Sequence, residues 1–158
     1  MRRTNTLKEK IIVARTLLAT LGRMDDYIEH TTKKVDLTVI ASASTTMSAE
    51  AICEKVINNL LKKDKIVDLR LRVRKLIRSL SGEHSHLLHS HYVEGKTVSA
   101  IAADKKVTER TAFRHLNKAQ EEFSRGLGSI GINNFTFGDL VREYRWLREE
   151  LSQQMRAV

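Results

Sequence analysis

Proline is absent from all 158 residues, and aromatic side chains make up only 5% of them. Without proline, no position is obliged to break a helix for want of an amide donor. With so few aromatic residues, a sheet protein is disfavoured. Both absences favour long uninterrupted helices. A single cysteine, Cys53, excludes an intrachain disulfide and points to a reducing, cytoplasmic compartment. No run approaches the roughly 20 apolar residues of a membrane span. The basic start Met1-Arg2-Arg3 does not lead into a signal segment, because Lys8, Glu9, Lys10 and Arg15 interrupt the apolar stretch after it. No nucleophile sits in a recognised elbow and no acids are paired for proton transfer, so neither an enzyme nor a cofactor is expected.

Positive charge is what the chain has in excess. Its 28 Lys and Arg outnumber 19 Asp and Glu, a formal charge of +9. Such a balance attracts polyanions, since each phosphate neutralised releases condensed counterions.

Apolar spacing organises the chain into an all-α protein. From Leu7 to about His30, the residues Leu7, Ile11, Ala14, Leu17, Leu18, Leu21, Met24 and Ile28 recur at steps of three and four, one stripe of an amphipathic helix. Residues 31–48, rich in Thr, Ser and Ala around Val35-Asp36-Leu37-Thr38-Val39-Ile40, read as a loop with a short strand as the alternative, ending at Ser48 as a helix N-cap. From Ala49 to Leu80 a second long helix is expected, with a heptad of Ile66, Leu69, Val73, Leu76 and Leu80. Its stripe needs a partner, either residues 7–30 as an antiparallel hairpin or a second chain. Arg70, Arg72, Arg74, Lys75 and Arg78 lie off that stripe and are candidates for phosphate contact, as are Lys62, Lys63 and Lys65.

A shorter helix follows over 81–95, closed by Gly95. Gly126 to Asn134 reads as a glycine linker. Its literal G-x-G-x-x-G lacks the flanking strand that a dinucleotide site requires. Thr136 to Asp139 has the spacing of a capping box, opening a last helix over about 137–156 with Leu140, Tyr144, Leu147 and Leu151 on one stripe. His84, His86, His89 and His91 are dense, yet without cysteine they are read as facing solvent or phosphate rather than a metal.

Residues 97–123 carry the strongest signal. Val98, Ile101 and Ala102 on one short helix, Val107 in a polar turn, and Ala112, Leu116, Ala119 and Phe123 on a second helix form the buried crossing of a helix-turn-helix. Thr108 is placed to cap the second helix, leaving backbone N–H groups and a positive dipole end for a phosphate. The outer face then presents Glu109, Arg110, Phe113, Arg114 and Asn117, flanked by Thr111, His115 and Lys118. Arginine suits guanine, asparagine suits adenine and glutamate accepts from cytosine. Lys105, Lys106, Thr108, Thr111 and Lys118 are the expected phosphate contacts.

Tyr92-Val93-Glu94-Gly95, Ile101-Ala102, Val107-Thr108, Thr111-Ala112 and Leu116 with Lys118-Ala119 resemble the fourth conserved region of bacterial sigma factors, over residues 81–125. The whole arrangement is similar to phage and prophage activators of the ArpU/RinA type. The resemblance implies a transcription regulator of phage or mobile-element genes, with its recognition helix in the major groove. Two positions depart from the pattern. Lys105-Lys106 stand where an apolar residue and a glycine are usual, which requires Lys106 to adopt a left-handed conformation or the turn to differ. Ser90 stands where the pattern is apolar.

The expected organisation is an N-terminal helical hairpin over 1–80, a sigma-like DNA-binding domain over 81–125, and a linker with a C-terminal helix over 126–158. The expected partners are double-stranded DNA, RNA polymerase and a second copy of the chain as a dimer. A DNA-packaging protein of the small-terminase kind, loading DNA into an oligomer, is the alternative. A protein-only adaptor is a third.

Overall fold

The computed structural model describes residues 2–44 and 46–157, with side chains from Thr6 onward; the charges of Met1-Arg2-Arg3 and residue Thr45 therefore lie outside the described side chains. The fold is all-α. Among the described residues, eight helices follow in order: α1 (Arg2–Ala19), α2 (Leu21–Ala41), α3 (Ala49–Ser79), α4 (Gly82–Leu88), α5 (Val98–Lys105), α6 (Glu109–Arg125), α7 (Asn134–Glu143) and α8 (Arg145–Arg156). A π-turn at His89–Val93 and a 3-10 turn at Leu127–Ile130 complete them, and no strand occurs among the described residues.

The chain divides into two compact units, residues 1–22 with 72–158, and residues 23–71. Within the larger unit, α1 packs on α6 and α8.

In the larger unit the core is built on the expected stripe, with Ala14, Leu17 and Leu18 of α1 and Leu21 at the start of α2 buried, and Ala112, Leu116, Ala119 and Phe123 of α6 buried likewise. A polar chain runs through it. Arg15 Nε donates to Gln120 Oε1 at 2.9 Å, and Gln120 Nε2 donates to the Tyr92 hydroxyl at 2.5 Å, so α1, α6 and the π-turn share one network. Burial pushes the Tyr92 phenol above its ordinary value, and the bond from Gln120 partly offsets this.

Residues 126–134 are not a loose linker. Leu127 and Ile132 are buried, and a Cβ added at Gly126 would lie 2.5 Å from Leu76 Cδ1. The glycine there permits close packing against the α3 core, while Gly131 (φ 76°) reverses the chain. The last helix is also two helices. Asn133, not Thr136, is the N-cap: its side chain accepts from the amides of Phe135 and Thr136, and Thr136 Oγ1 in turn accepts from the Asn133 amide, as the third helical residue of a capping box. Tyr144, extended at φ −115° and ψ 111°, separates α7 from α8 and brings its ring into the core beside Leu147. Trp146 lies half-buried, its ring 5.7 Å from that of Tyr144.

In the smaller unit α2 runs to Ala41, so the segment expected as loop or strand is helical, and only 42–48 connects to α3. Threonine is accommodated because its hydroxyls fold back: Thr32 Oγ1 donates to the Ile28 carbonyl at 2.7 Å and Thr38 Oγ1 to that of Lys34 at 2.8 Å. Ser48 caps α3 as expected, accepting from the Ala51 amide at 3.2 Å. The two helices run antiparallel and are pinned by Arg70 Nη1 donating to Asp25 Oδ1 at 2.5 Å.

Candidate nucleic-acid interface

Helices α5 and α6 are joined by three residues, Lys106, Val107 and Thr108. Lys106 sits at φ 56° and ψ 42°, the left-handed conformation its place in the turn demanded. Its amide donates to the Ala103 carbonyl at 3.2 Å and the Val107 amide to that of Ala102 at 3.0 Å. This paired pattern closes the C-terminus of α5 as a Schellman motif, with lysine where glycine is usual. Thr97 caps α5 and Thr108 caps α6, each hydroxyl accepting from the amide three residues on. Ser99 Oγ donates to Glu109 Oε1 at 2.5 Å, which fixes the start of α6 against α5.

Helix α6 is strongly two-sided. Ala112, Leu116, Ala119, Gln120, Phe123 and Ser124 are buried on one side. On the other, Glu109, Arg110, Phe113, Arg114, Asn117 and Lys118 are exposed, with Phe113 retaining 51% of its surface. Arg110, Arg114, Asn117 and Lys118 have no hydrogen-bond or ion-pair partner among the described residues. Seven residues separate Arg110 from Asn117, about 10 Å along the axis and hence about three base-pair steps.

The remaining expected site residues are placed less freely. Lys105 is half-buried, its Nζ 3.9 Å from Glu83 Oε1. The Thr111 hydroxyl accepts from Thr108 Oγ1 at 2.9 Å, so it supports the cap. Glu109 is exposed with one oxygen already committed to Ser99. Lys106 is exposed at the turn. Arg72, though exposed, donates to the Ile130 carbonyl at 3.2 Å, and the partly buried Arg70 donates to Asp25. Lys62, Lys63 and Lys65 belong to the other compact unit.

Three of the four histidines go to separate partners, while His86 is exposed. His84 contacts the Glu122 carboxylate, His89 lies 3.3 Å from Glu94, and His91 Nδ1 bonds the Lys96 carbonyl at 2.8 Å. The His84 bond, with the Ser81 amide, holds Glu122 below its ordinary value. No group of three metal-binding side chains occurs among the described residues.

What sequence reasoning did not foresee is that two of its phosphate-candidate arginines and two of its histidines come together in the same unit. A concavity of about 350 Å³, where the end of α3 meets α4, is lined by Arg74, Arg78, His86 and His89. The arginine run and the histidine cluster each pointed to part of it, but not to their meeting. Ser90, in the adjoining π-turn, is buried with its hydroxyl unpartnered. Its break in the apolar pattern was the visible sign of this irregular turn, a feature often found at functional sites. No helix among the described residues is long and apolar enough to cross a membrane. No family model, curated protein or solved structure matches the chain.

Proposed function

We propose that this chain is a sequence-specific double-stranded-DNA-binding regulator of transcription, with α6 entering the major groove. The observation that carries the reading is the division of α6 into a packed back and a front of unpaired Arg110, Arg114, Asn117 and Lys118 beginning at a capped N-terminus. A solvated helix face has no need of a short turn, threonine N-caps on both helices and an exposed phenylalanine. A helix that docks on base edges does. Arg110, Arg114 and Asn117 reach bases, Phe113 meets a thymine methyl, and Lys106, Lys118 and the α6 N-terminus hold phosphates. The net charge of +9 supplies sequence-independent attraction. RNA polymerase is the further partner that such a regulator would contact.

Selection of bound duplexes from a random pool supplies the site. On it, Arg114→Ala is expected to weaken binding by about 1–3 kcal/mol and relax preference at one position, whereas Lys118→Ala weakens all sequences alike. Recovery of no enriched sequence, or an Arg114→Ala chain that binds as well as the parent, overturns the reading. A DNA-loading assembly protein is the second reading, favoured by the apolar surface of residues 23–71. A ring-sized mass in solution supports that reading, and a dimer supports the regulator.

A further inference from the structure

The unit of residues 23–71 cannot satisfy its own apolar side chains. Among its described residues only Met24, Thr31, Ile66 and Leu69 are buried, while Leu37, Val39, Ile40, Met47, Ile57, Leu60, Leu61 and Leu71 remain exposed. The backbones of α2 and α3 approach each other less closely than the packed pairs of the larger unit. At on the order of 100 Å² apiece, the eight exposed residues leave roughly 800 Å² of apolar side chain uncovered on this small unit, more than scattered single residues usually need.

Two features of this surface complement one another. Near the hairpin tip, a groove of about 470 Å³ has Leu37, Met47 and Ile52 in its lining and Lys33, Lys34 and Lys55 at its edge, with no acidic side chain among its lining residues. Lys33 also pairs with Glu29 at 3.1 Å, but Lys34 and Lys55 have no partner among the described residues. On α3, the exposed positions Glu50, Glu54, Ile57, Leu61, Asp64, Asp68 and Leu71 recur at steps of four and three. This is a second heptad stripe, separate from the buried one at Ile66, Leu69 and Val73; Ile57 and Leu61 lie on it between the acidic pairs Glu50/Glu54 and Asp64/Asp68, with Leu71 beyond them. A basic-edged apolar groove and an acid-flanked apolar stripe on one small unit fit the same surface on another copy.

We propose that the chain self-associates through residues 23–71 as a two-fold dimer, the α3 stripe of each copy lying in the α2/α3 groove of the other. Two-fold symmetry makes both contacts equivalent, with Glu50 and Glu54 of one copy meeting Lys34 and Lys55 of its partner. The apolar side chains supply the association and the charges set its orientation.

Sedimentation equilibrium without DNA tests this independently of any DNA-binding role. The wild-type chain is expected at twice its own mass at micromolar concentration. Lys34→Glu with Lys55→Glu, and separately Glu50→Lys with Glu54→Lys, are each expected to run as monomers with unchanged helical circular dichroism. Mixing the two variants is the decisive step, because the hetero-pair restores an opposite-charge match at both contacts and should return to the dimer mass. Ile57→Gln, at a position already 54% exposed, should weaken association at least tenfold without unfolding the chain. A monomeric wild type, assigning the groove to some other partner, overturns the proposal. So do charge variants that remain dimeric, or a mixture that stays monomeric.

Discussion

Lys106→Gly is expected to stabilise the protein while weakening its hold on DNA. Lysine occupies φ 56° and ψ 42° in the turn before α6, and a side chain in that conformation costs about 1–2 kcal/mol. Glycine removes the clash but frees the unfolded chain, which costs about 0.5–1 kcal/mol in return. The net gain is about 0.5–1 kcal/mol. In a chain of this length it raises the unfolding midpoint by about 1–4 °C. Lys106→Ala keeps a Cβ in the same conformation and gains nothing from this source. Thermal or urea unfolding should therefore rank glycine above alanine, with alanine close to lysine. Both variants lose an exposed cation at the proposed phosphate contact, so each should lower the magnitude of the salt slope of DNA binding by about one. If glycine is no more stable than alanine, the strain argument fails. If the salt slope is unchanged in both, Lys106 is not a phosphate contact.

Thr108→Ala removes the hydroxyl that accepts from the Thr111 amide and should cost about 1 kcal/mol, with Thr108→Ser retaining most of it in urea unfolding. Gln120→Leu strands Arg15 Nε and the Tyr92 hydroxyl, costing about 1–3 kcal/mol. Because the Gln120 bond opposes the effect of burial, the same change should move the Tyr92 ultraviolet titration further upward. Glu122 is held below the ordinary 4.5 by His84 and the Ser81 amide, so its contribution is present above that value and is lost as pH falls through the lowered one. Urea midpoints of the parent and Glu122→Gln should therefore differ at pH 6 and converge under strong acid; a constant offset would refute the linkage.

The all-helical class was legible from composition and period alone, because absent proline and steps of three and four act locally. The two-sided character of α6, its Thr108 cap and the left-handed Lys106 were legible for the same reason: each depends on neighbours within one or two turns. The long segment 31–41 was misread as loop or strand because β-branched propensity is weak beside a threonine hydroxyl that bonds back to its own helix. The supposed linker at 126–134 was misread because glycine signals both freedom and close packing. Only Leu76, fifty residues earlier, decides between them. Asn133 took the cap from Thr136 by a similarly non-obvious competition, since both side chains take part in the same box.

What the chain determines by itself is thus where helices form and which face of each is apolar, since these are properties of periods, caps and turns. Which apolar faces meet is decided only in three dimensions. Tertiary structure sends α1 to α6 and α8, ties Arg70 to Asp25 and Arg72 to the Ile130 carbonyl, gathers Arg74, Arg78, His86 and His89 around one concavity, and leaves the second stripe of α3 uncovered. A stripe states that it needs a partner; only packing chooses among the partners available, because burial is non-directional and several arrangements satisfy the same pattern.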